Sequence, residues 1–313
     1  MKDVADVPKI IDSDIDALQY ERALVAMDIG GSEDEMLSYL STFSKLVPVA
    51  SMQFLHVVPE TTFLAGLFEK DLKKIQPQTS LSDQVVSLLT NLVRNKFEPG
   101  SRTKFNYEVK EGDPLAKMLN TVDDMQADLL VIGQRSGKSH HGILAKKLVR
   151  KAKCDALVIP ESAPSDIKHI LVPIDFSVHS GNALRNAVAL AQRLGDDVVI
   201  QTLHVYTLPD LSAYQIDRTY DEYHGMLLEN LRDAQNAFFE NYIPGDRGRI
   251  KVELVYKDMP GTARYIKQFA EESNTDFVVM GAKGHSTVDR LLIGSITEAF
   301  MMINKEIPTL IIR

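Results

Sequence analysis

Short apolar runs alternate with amphipathic stretches along the whole chain. "RALVAMD", "SMQFLHVVP" and "ADLLVIG" occur in the first half; "HILVPID", "VVIQTLHVYTLP" and "TDFVVMG" occur in the second. They are rich in Val, Leu and Ile with little polar alternation, the pattern of strands covered on both faces. Between them, "SGNALRNAVALAQRL" after Ser180, "GTARYIKQFAEES" and "DPLAKMLNTVDDM" place apolar residues at helical spacing. The last two are each entered through a Gly near a Pro, a helix-start signature. Residues 62–97 and 211–242 read as helix with some irregular chain. The order strand, helix, strand predicts an α/β protein with parallel sheets and helices on both faces.

The two halves repeat. Asp28 and Asp175, each closing a first strand, lie 147 residues apart; His56 and His204 lie 148 apart, as do Gly133 and Gly281. Matched positions at one offset predict two tandem copies of one fold. The expected division is a leader over 1–20, a first domain over 21–161, a linker over 162–166 and a second domain over 167–313. The linker falls in "PESAPSD", whose Pro, Ser and Ala suit a junction.

Composition narrows the class. The 313 residues are 44% hydrophobic and 25% charged, and the mean hydropathy is -0.10. No apolar run approaches the roughly 18 residues of a membrane span. The acidic N-terminus lacks the apolar core of a secretory signal. The net charge of -8 disfavours binding to a phosphate backbone, so no nucleic-acid partner is expected. The single cysteine, Cys154, suits a reducing cytoplasm and reads as a small buried hydrophobe.

Candidate chemistry concentrates in "GAKGHSTVDRLLIGS", Gly281 to Ser295. Gly281 ends a strand, and Gly294-Ser295 opens the last helix. Ligands of open parallel sheets sit beyond the carboxyl ends of strands. Glycines there permit positive φ and close backbone approach. Free N–H groups and a helix N-terminus can cradle phosphate. The Ser295 hydroxyl can donate to it. Asp175, on an expected neighbouring strand end, suits a sugar or base donor, or a metal.

The second copy resembles the universal stress protein family, whose ATP-binding members carry G-x2-G-x9-G-[ST]; Gly281, Gly284, Gly294 and Ser295 match it fully. "VPID", "LHV" and "IPTLII" match as well. The resemblance covers nearly all of 21–313. It implies two tandem Rossmann-like domains of the adenine nucleotide alpha hydrolase type. Each would hold a five-stranded parallel sheet of order 3-2-1-4-5, and domains would pair through strand five. It also implies an adenosine pocket at Pro173, Ile174, Asp175 and Val205. Met280, His285, Ile296 and Thr297 join the site, with ATP (or AMP or ADP) as ligand and Mg2+ or Mn2+ as its companion.

The first copy departs from the motif. Gly142 aligns with Gly294, the loop before it is about four residues shorter, and Ile143 replaces the serine. Gly31 and Ser32 stand where the second copy has Phe176 and Ser177. This copy is expected not to hold ATP in the family manner. Arg135, Lys138, Lys146 and Lys147 read as a solvated face before an anion site.

Other motifs fail on spacing. "GQRSGKS" has three residues where a phosphate loop needs four. "IGGSED" lacks the leading serine of pyrophosphate-releasing enzymes. "GHST" is not a two-histidine nucleotidyl-transferase motif. His140-His141 are adjacent, poor spacing for metal ligands on one helix face, and His56 and His204 read as structural. Met301 and Met302 read as core of the last helix. No nucleophile, base and orienter can be assembled.

The reading is a cytoplasmic stress-response protein that binds adenine nucleotide in its second domain as a switch and signals to a regulatory protein partner. The first domain is structural or takes a different ligand. Two alternatives stand beside it. One is a slow metal-dependent ATPase or phosphotransferase using Asp175; the other is a nucleotide-free stress protein acting through homodimerisation.

Overall fold

The computed structural model describes residues 18–29, 33–58, 81–97, 102–135, 140–164, 166–208, 220–245, 247–284 and 293–313. Copy one runs β1 (Tyr20–Met27), α1 (Glu33–Leu46), β2 (Val49–Val58), α2 (Leu81–Arg94), β3 (Lys104–Glu111), α3 (Pro114–Asp124), β4 (Leu129–Gln134), α4 (His140–Lys151) and β5 (Asp155–Pro160). Copy two runs β6 (His169–Pro173), α5 (Val178–Leu194), β7 (Val199–Tyr206), α6 (Tyr220–Tyr242), β8 (Ile250–Tyr256), α7 (Thr262–Glu272), β9 (Phe277–Gly281), α8 (Ser295–Ile303) and β10 (Thr309–Ile312). The leader's first 17 residues lie outside the described residues. Leu18 and Tyr20, before the expected domain boundary, are already buried in the core.

The strands form one ten-stranded sheet, β3-β2-β1-β4-β5-β10-β9-β6-β7-β8. Within each copy the order is 3-2-1-4-5 and every pairing is parallel. The copies meet at β5 and β10, which pair antiparallel with Leu157 opposite Leu310. All five residues of β9 and all four of β10 are buried. That explains their unbroken apolar sequence: helices cover both faces.

Two apolar cores lie on the two faces, and each crosses from one copy to the other. On one face Phe43 of α1 stacks on Phe277 of β9, with centroids 6.1 Å apart. On the other, Lys146 of α4 pairs with Glu298 of α8 at 3.3 Å. Arg193 of α5 donates to the carbonyls of Leu18 and Leu46 at 2.6 and 2.7 Å. The guanidinium thus ties α5 to two carbonyls of copy one, one of them at the C-terminal end of α1, where helix carbonyls have no intrahelical partner.

The repeat extends to small devices. Asp128 accepts the backbone N–H groups of Glu21 and Arg22, so the residue before strand four holds the start of strand one. Asp276 does the same for Lys168 and His169. Gln126 and Asn274, 148 residues apart, end α3 and α7 with φ of 50° and 51°. Asp113 caps α3 through Ala116 N–H at 2.8 Å, with Pro114 leading the helix. Met301 is buried but Met302 is 54% exposed, against the expectation of core. It faces α4, where Lys146 Nζ lies 3.3 Å from its sulfur.

Candidate nucleotide site

A cavity of about 400 Å³ lies beyond the carboxyl ends of β6, β7 and β9. Pro173, Ile174 and Asp175 line it from the end of β6, and Val205 from β7. Met280, Gly281 and Gly284 come from the end of β9 and its loop; Gly294, Ser295, Ile296 and Thr297 come from the start of α8. His285 lies outside the described residues. The other eleven residues named from sequence thus surround one space.

The glycines serve close approach. None of the three has φ in the left-handed region, which corrects the first of the two reasons offered for them. A Cβ on Gly281 would sit 2.8 Å from the His179 carbonyl carbon, so β9 and the start of α5 meet backbone to backbone. A Cβ on Gly284 would fall on an Asp175 carboxylate oxygen. The loop after β9 therefore lies directly over the end of β6.

The α8 N-terminus is arranged from within. Gly294 N–H donates to Ala282 O at 2.6 Å, and the buried Thr297 hydroxyl donates to Gly281 O at 2.8 Å. These two bonds pin the helix start against the strand end. The Thr297 hydroxyl is thereby spent on structure. Among the described residues no side chain caps the helix, and the N–H groups of Ser295, Ile296 and Thr297, which have no intrahelical acceptor, meet none there. Ser295 is exposed at the mouth.

Asp175 is held by its own turn. Its Oδ1 accepts from Ser177 N at 3.1 Å and from Ser177 Oγ at 2.6 Å. Between them Phe176 adopts φ 63°, a left-handed conformation uncommon for a bulky residue. Its ring packs on His204, centroids 4.6 Å apart, and edge-on against Phe238. That packing offsets a backbone cost of about 1 kcal/mol or more. Ser177 also caps α5, accepting from Ser180 N at 3.3 Å. His204 Nδ1 lies 2.9 Å from Ile174 O, and His56 Nδ1 lies 2.9 Å from Met27 O in copy one. A carbonyl only accepts, so each Nδ1 carries the proton, and each imidazole clamps strand two to the end of strand one.

Several lining residues were not named from sequence. Lys283 sits inside the glycine loop, and Lys257 follows β8, donating to Thr262 Oγ1 at 2.9 Å. Thr262 itself, Ser180, Leu203, His204 and Ile266 also line the wall. The "K" of "GAKG" was a readable signal for Lys283; Lys257 carried none. Burial and the neighbouring Lys283 hold the His179 imidazole below its usual range, against the upward pull of Asp175. Among the described residues no group of three metal-ligating side chains occurs. Among the described residues Asp175 is the one carboxylate in the wall.

The equivalent space in copy one is smaller, about 280 Å³, and differently lined. Arg135 crosses it to Asp28 at 3.3 Å and to Glu33 at 3.5 Å; Glu33 is buried. Met36 lies against Gly133, its sulfur 3.0 Å from where a Cβ would stand. Gly142, aligned from sequence with Gly294, lies inside α4, which begins at His140. The flank of α4, through Leu144, Ala145 and Leu148, faces this cavity where copy two presents the start of a helix. Of the basic residues considered there, Arg135 is in that cluster, Lys146 reaches Glu298, and Lys147 is exposed. Lys138 lies outside the described residues.

The model of the universal stress protein family matches residues 19–160 and again 166–313. The chain belongs to that family, as two tandem copies of its domain. A universal stress protein of Methanocaldococcus jannaschii is 24% identical over 147 residues, 47% of this chain and 82% of that protein. A universal stress protein of Archaeoglobus fulgidus superposes with a TM-score of 0.61 at 17% identity, covering 93% of this chain and 98% of its own. A putative universal stress protein of Pseudomonas aeruginosa gives 0.60 at 13% identity, with 94% and 93% covered. These likenesses bear on the fold. No described helix is long and apolar enough to cross a membrane.

Proposed function

We propose that copy two binds an adenine nucleotide, ATP foremost, and serves as a regulatory switch in a cytoplasmic stress response. The observation that carries this reading is the composition of one cavity wall. Among the described residues, a helix N-terminus without a side-chain cap and two lysines, Lys257 and Lys283, face a single carboxylate, Asp175. Such a wall favours an anion at the loop end, where the α8 N-terminus carries partial positive charge. The opposite, apolar side, from Ile174, Val205, Ile266 and Met280, suits the flat face of a base. Asp175 accepts hydrogen bonds, so it suits a ribose hydroxyl; beside a phosphate it would need Mg2+ or Mn2+ between.

In this reading the residues bind and orient, and none is assigned a catalytic role. Gly281 and Gly284 let backbone approach the phosphates, Ser295 donates to them, and Ile296 and Thr297 present helix N–H groups. The β5–β10 pairing keeps both domains in one body, and copy one supports it without ATP of its own. The occupied state is then read by a protein partner.

The first test is the nucleotide content of the purified chain, released by denaturation and separated chromatographically, with Gly294→Asp beside it. About one adenine nucleotide per chain is expected. A carboxylate at position 294, where a Cβ would already stand 3.3 Å from Ala282 O, should weaken affinity about a hundredfold. Two nucleotides per chain would refute the exclusion of copy one. ADP recovered after incubation with ATP would favour slow hydrolysis. No nucleotide, and no uptake of added ATP, would sink the proposal.

A further inference from the structure

The ten-stranded sheet ends at β3 and at β8, and these two edges are finished differently. On β3 two central charges, Glu108 and Lys110, are engaged within their own copy. Gln53 of β2 donates to Glu108, and Lys110 pairs with Glu108 at 3.4 Å and donates to Thr121 at 2.7 Å. Its Phe105, Tyr107 and Val109 are partly buried against a core, as are Ile250 and Val255 of β8. On β8, Val252 is 42% exposed and Tyr256 38%. Lys251 and Glu253 make no ion pair or side-chain hydrogen bond among the described residues. The strand has no proline, and its register with β7 runs unbroken from Ile250 to Tyr256. Like β3, whose register with β2 is also unbroken and free of proline, it has neither a bulge nor a proline to guard it, so the two edges differ in their charges.

The backbone fixes which residues look outward. Arg249 O accepts from Ile200 N, Lys251 O accepts from Thr202 Oγ1, and Lys257 N donates to Tyr206 O. Odd-numbered backbone groups therefore face β7. Strand alternation turns those of Val252, Leu254 and Tyr256 away from the sheet.

We propose that β8 is a self-association edge. Two copies of this chain pair their β8 strands antiparallel about a two-fold axis through Val252. Self-complementary charge selects the second copy as occupant and sets the register. With Val252 on the axis, each Val252 exchanges both backbone hydrogen bonds with its mate. Lys251 then stands directly opposite Glu253 of the second copy, twice over, in the pairing where side chains approach most closely. The neighbouring register, centred on Leu254, would set Lys251 against Lys257 of the second copy. The contact is isologous and closed, so it yields a dimer and leaves β3, whose central Glu108 and Lys110 are engaged within their own copy, as the outer edge at each end.

The test is sedimentation of the full chain over a dilution series, with the charge-reversal variants Glu253→Lys and Lys251→Glu and the double swap. The wild type should reach twice 35.0 kDa. Each single reversal places like charges opposite one another at two symmetric points and should weaken the dimer about tenfold or more. The double swap should restore it. Thermal melts followed by circular dichroism check that the variants fold; either single variant suffices if the other does not. A monomer throughout the series overturns the proposal. So does a dimer indifferent to both single reversals, or a double swap that fails to recover. Neither Lys251 nor Glu253 lines the copy-two cavity, so nucleotide retention and dimerisation fail or succeed separately.

Discussion

Copy two surrounds its cavity with two lysines, one aspartate and a helix start; copy one surrounds its own with two carboxylates, one arginine and a helix flank. The strands beneath are the same, and so is the histidine that ties strand two to strand one. The difference arises in the loop after strand four. Twelve residues lie between Gly281 and Gly294, and eight between Gly133 and Gly142. The shorter loop goes with an earlier helix start: Gly142 lies inside α4, whereas Gly294 caps α8. Arg135 then occupies with its guanidinium a space that copy two leaves open. Among the described residues the balance of charge in the wall has shifted toward carboxylate without a change of fold. A binding site in this architecture is thus a property of loop length and of a few side chains above the strand ends.

The comparison can be broken first at Arg135. Arg135→Ala leaves Asp28 and the buried Glu33 facing each other without their common cation. It should destabilise copy one by about 1–2 kcal/mol, less than for a fully buried cluster because the Asp28 side chain is 43% exposed. Urea unfolding measures it, and nucleotide retained by copy two should not change. An unaltered midpoint would mean that the cluster contributes nothing to the closed state of this cavity.

The junction sharpens the contrast next. Asp155, first residue of β5, corresponds to Pro308 just before β10. Its carboxyl accepts from Tyr20 Oη at 3.0 Å and from Arg313 N at 2.9 Å. Burial pushes it up to about 6, against the lowering effect of Arg313 and Tyr20. The folded chain therefore holds this proton more tightly than the unfolded chain. Stability from this group is present below the ordinary aspartate range and is lost as pH rises through about 6. Asp155→Asn should flatten that slope, read as melting temperature against pH. Parallel curves for both proteins would remove Asp155 from the account.

The smallest effect belongs to the helix contact. Glu298→Ala removes the pairs with Lys146 at 3.3 Å and Arg150 at 3.8 Å. These groups are partly exposed, so the loss should be about 0.5 kcal/mol. A much larger loss would show that the two copies depend on α4 and α8 for their union as well as on β5 and β10.

The repeat was legible because buried parallel strands leave long apolar runs, and three of them recur at one spacing. The glycine motif was legible because close backbone contact admits only glycine, here at Gly281 and Gly284. What stayed hidden depends on contacts between distant segments. Nothing in "DFSVHS" announces that Phe176 takes a left-handed turn, since phenylalanine is a poor choice for one. Its ring has to pack on His204 before the conformation is tenable. Thr297 reads as a ligand donor until Gly281 O is found to take its hydroxyl. Lys257 enters the wall only through the placement of β8 beside β7. Met302 is apolar and at the core period, yet the approach of α4 turns it toward Lys146.

The antiparallel seam between β5 and β10 has a geometric consequence. Every strand of one copy runs against every strand of the other, so their carboxyl ends lie on opposite rims of the common sheet. The two cavities open toward opposite poles of the molecule. Visitors to them arrive from different directions and have no surface to contest. Whatever one pole conveys to the other must pass as displacement through the seam, or through the helices that grip each other across it.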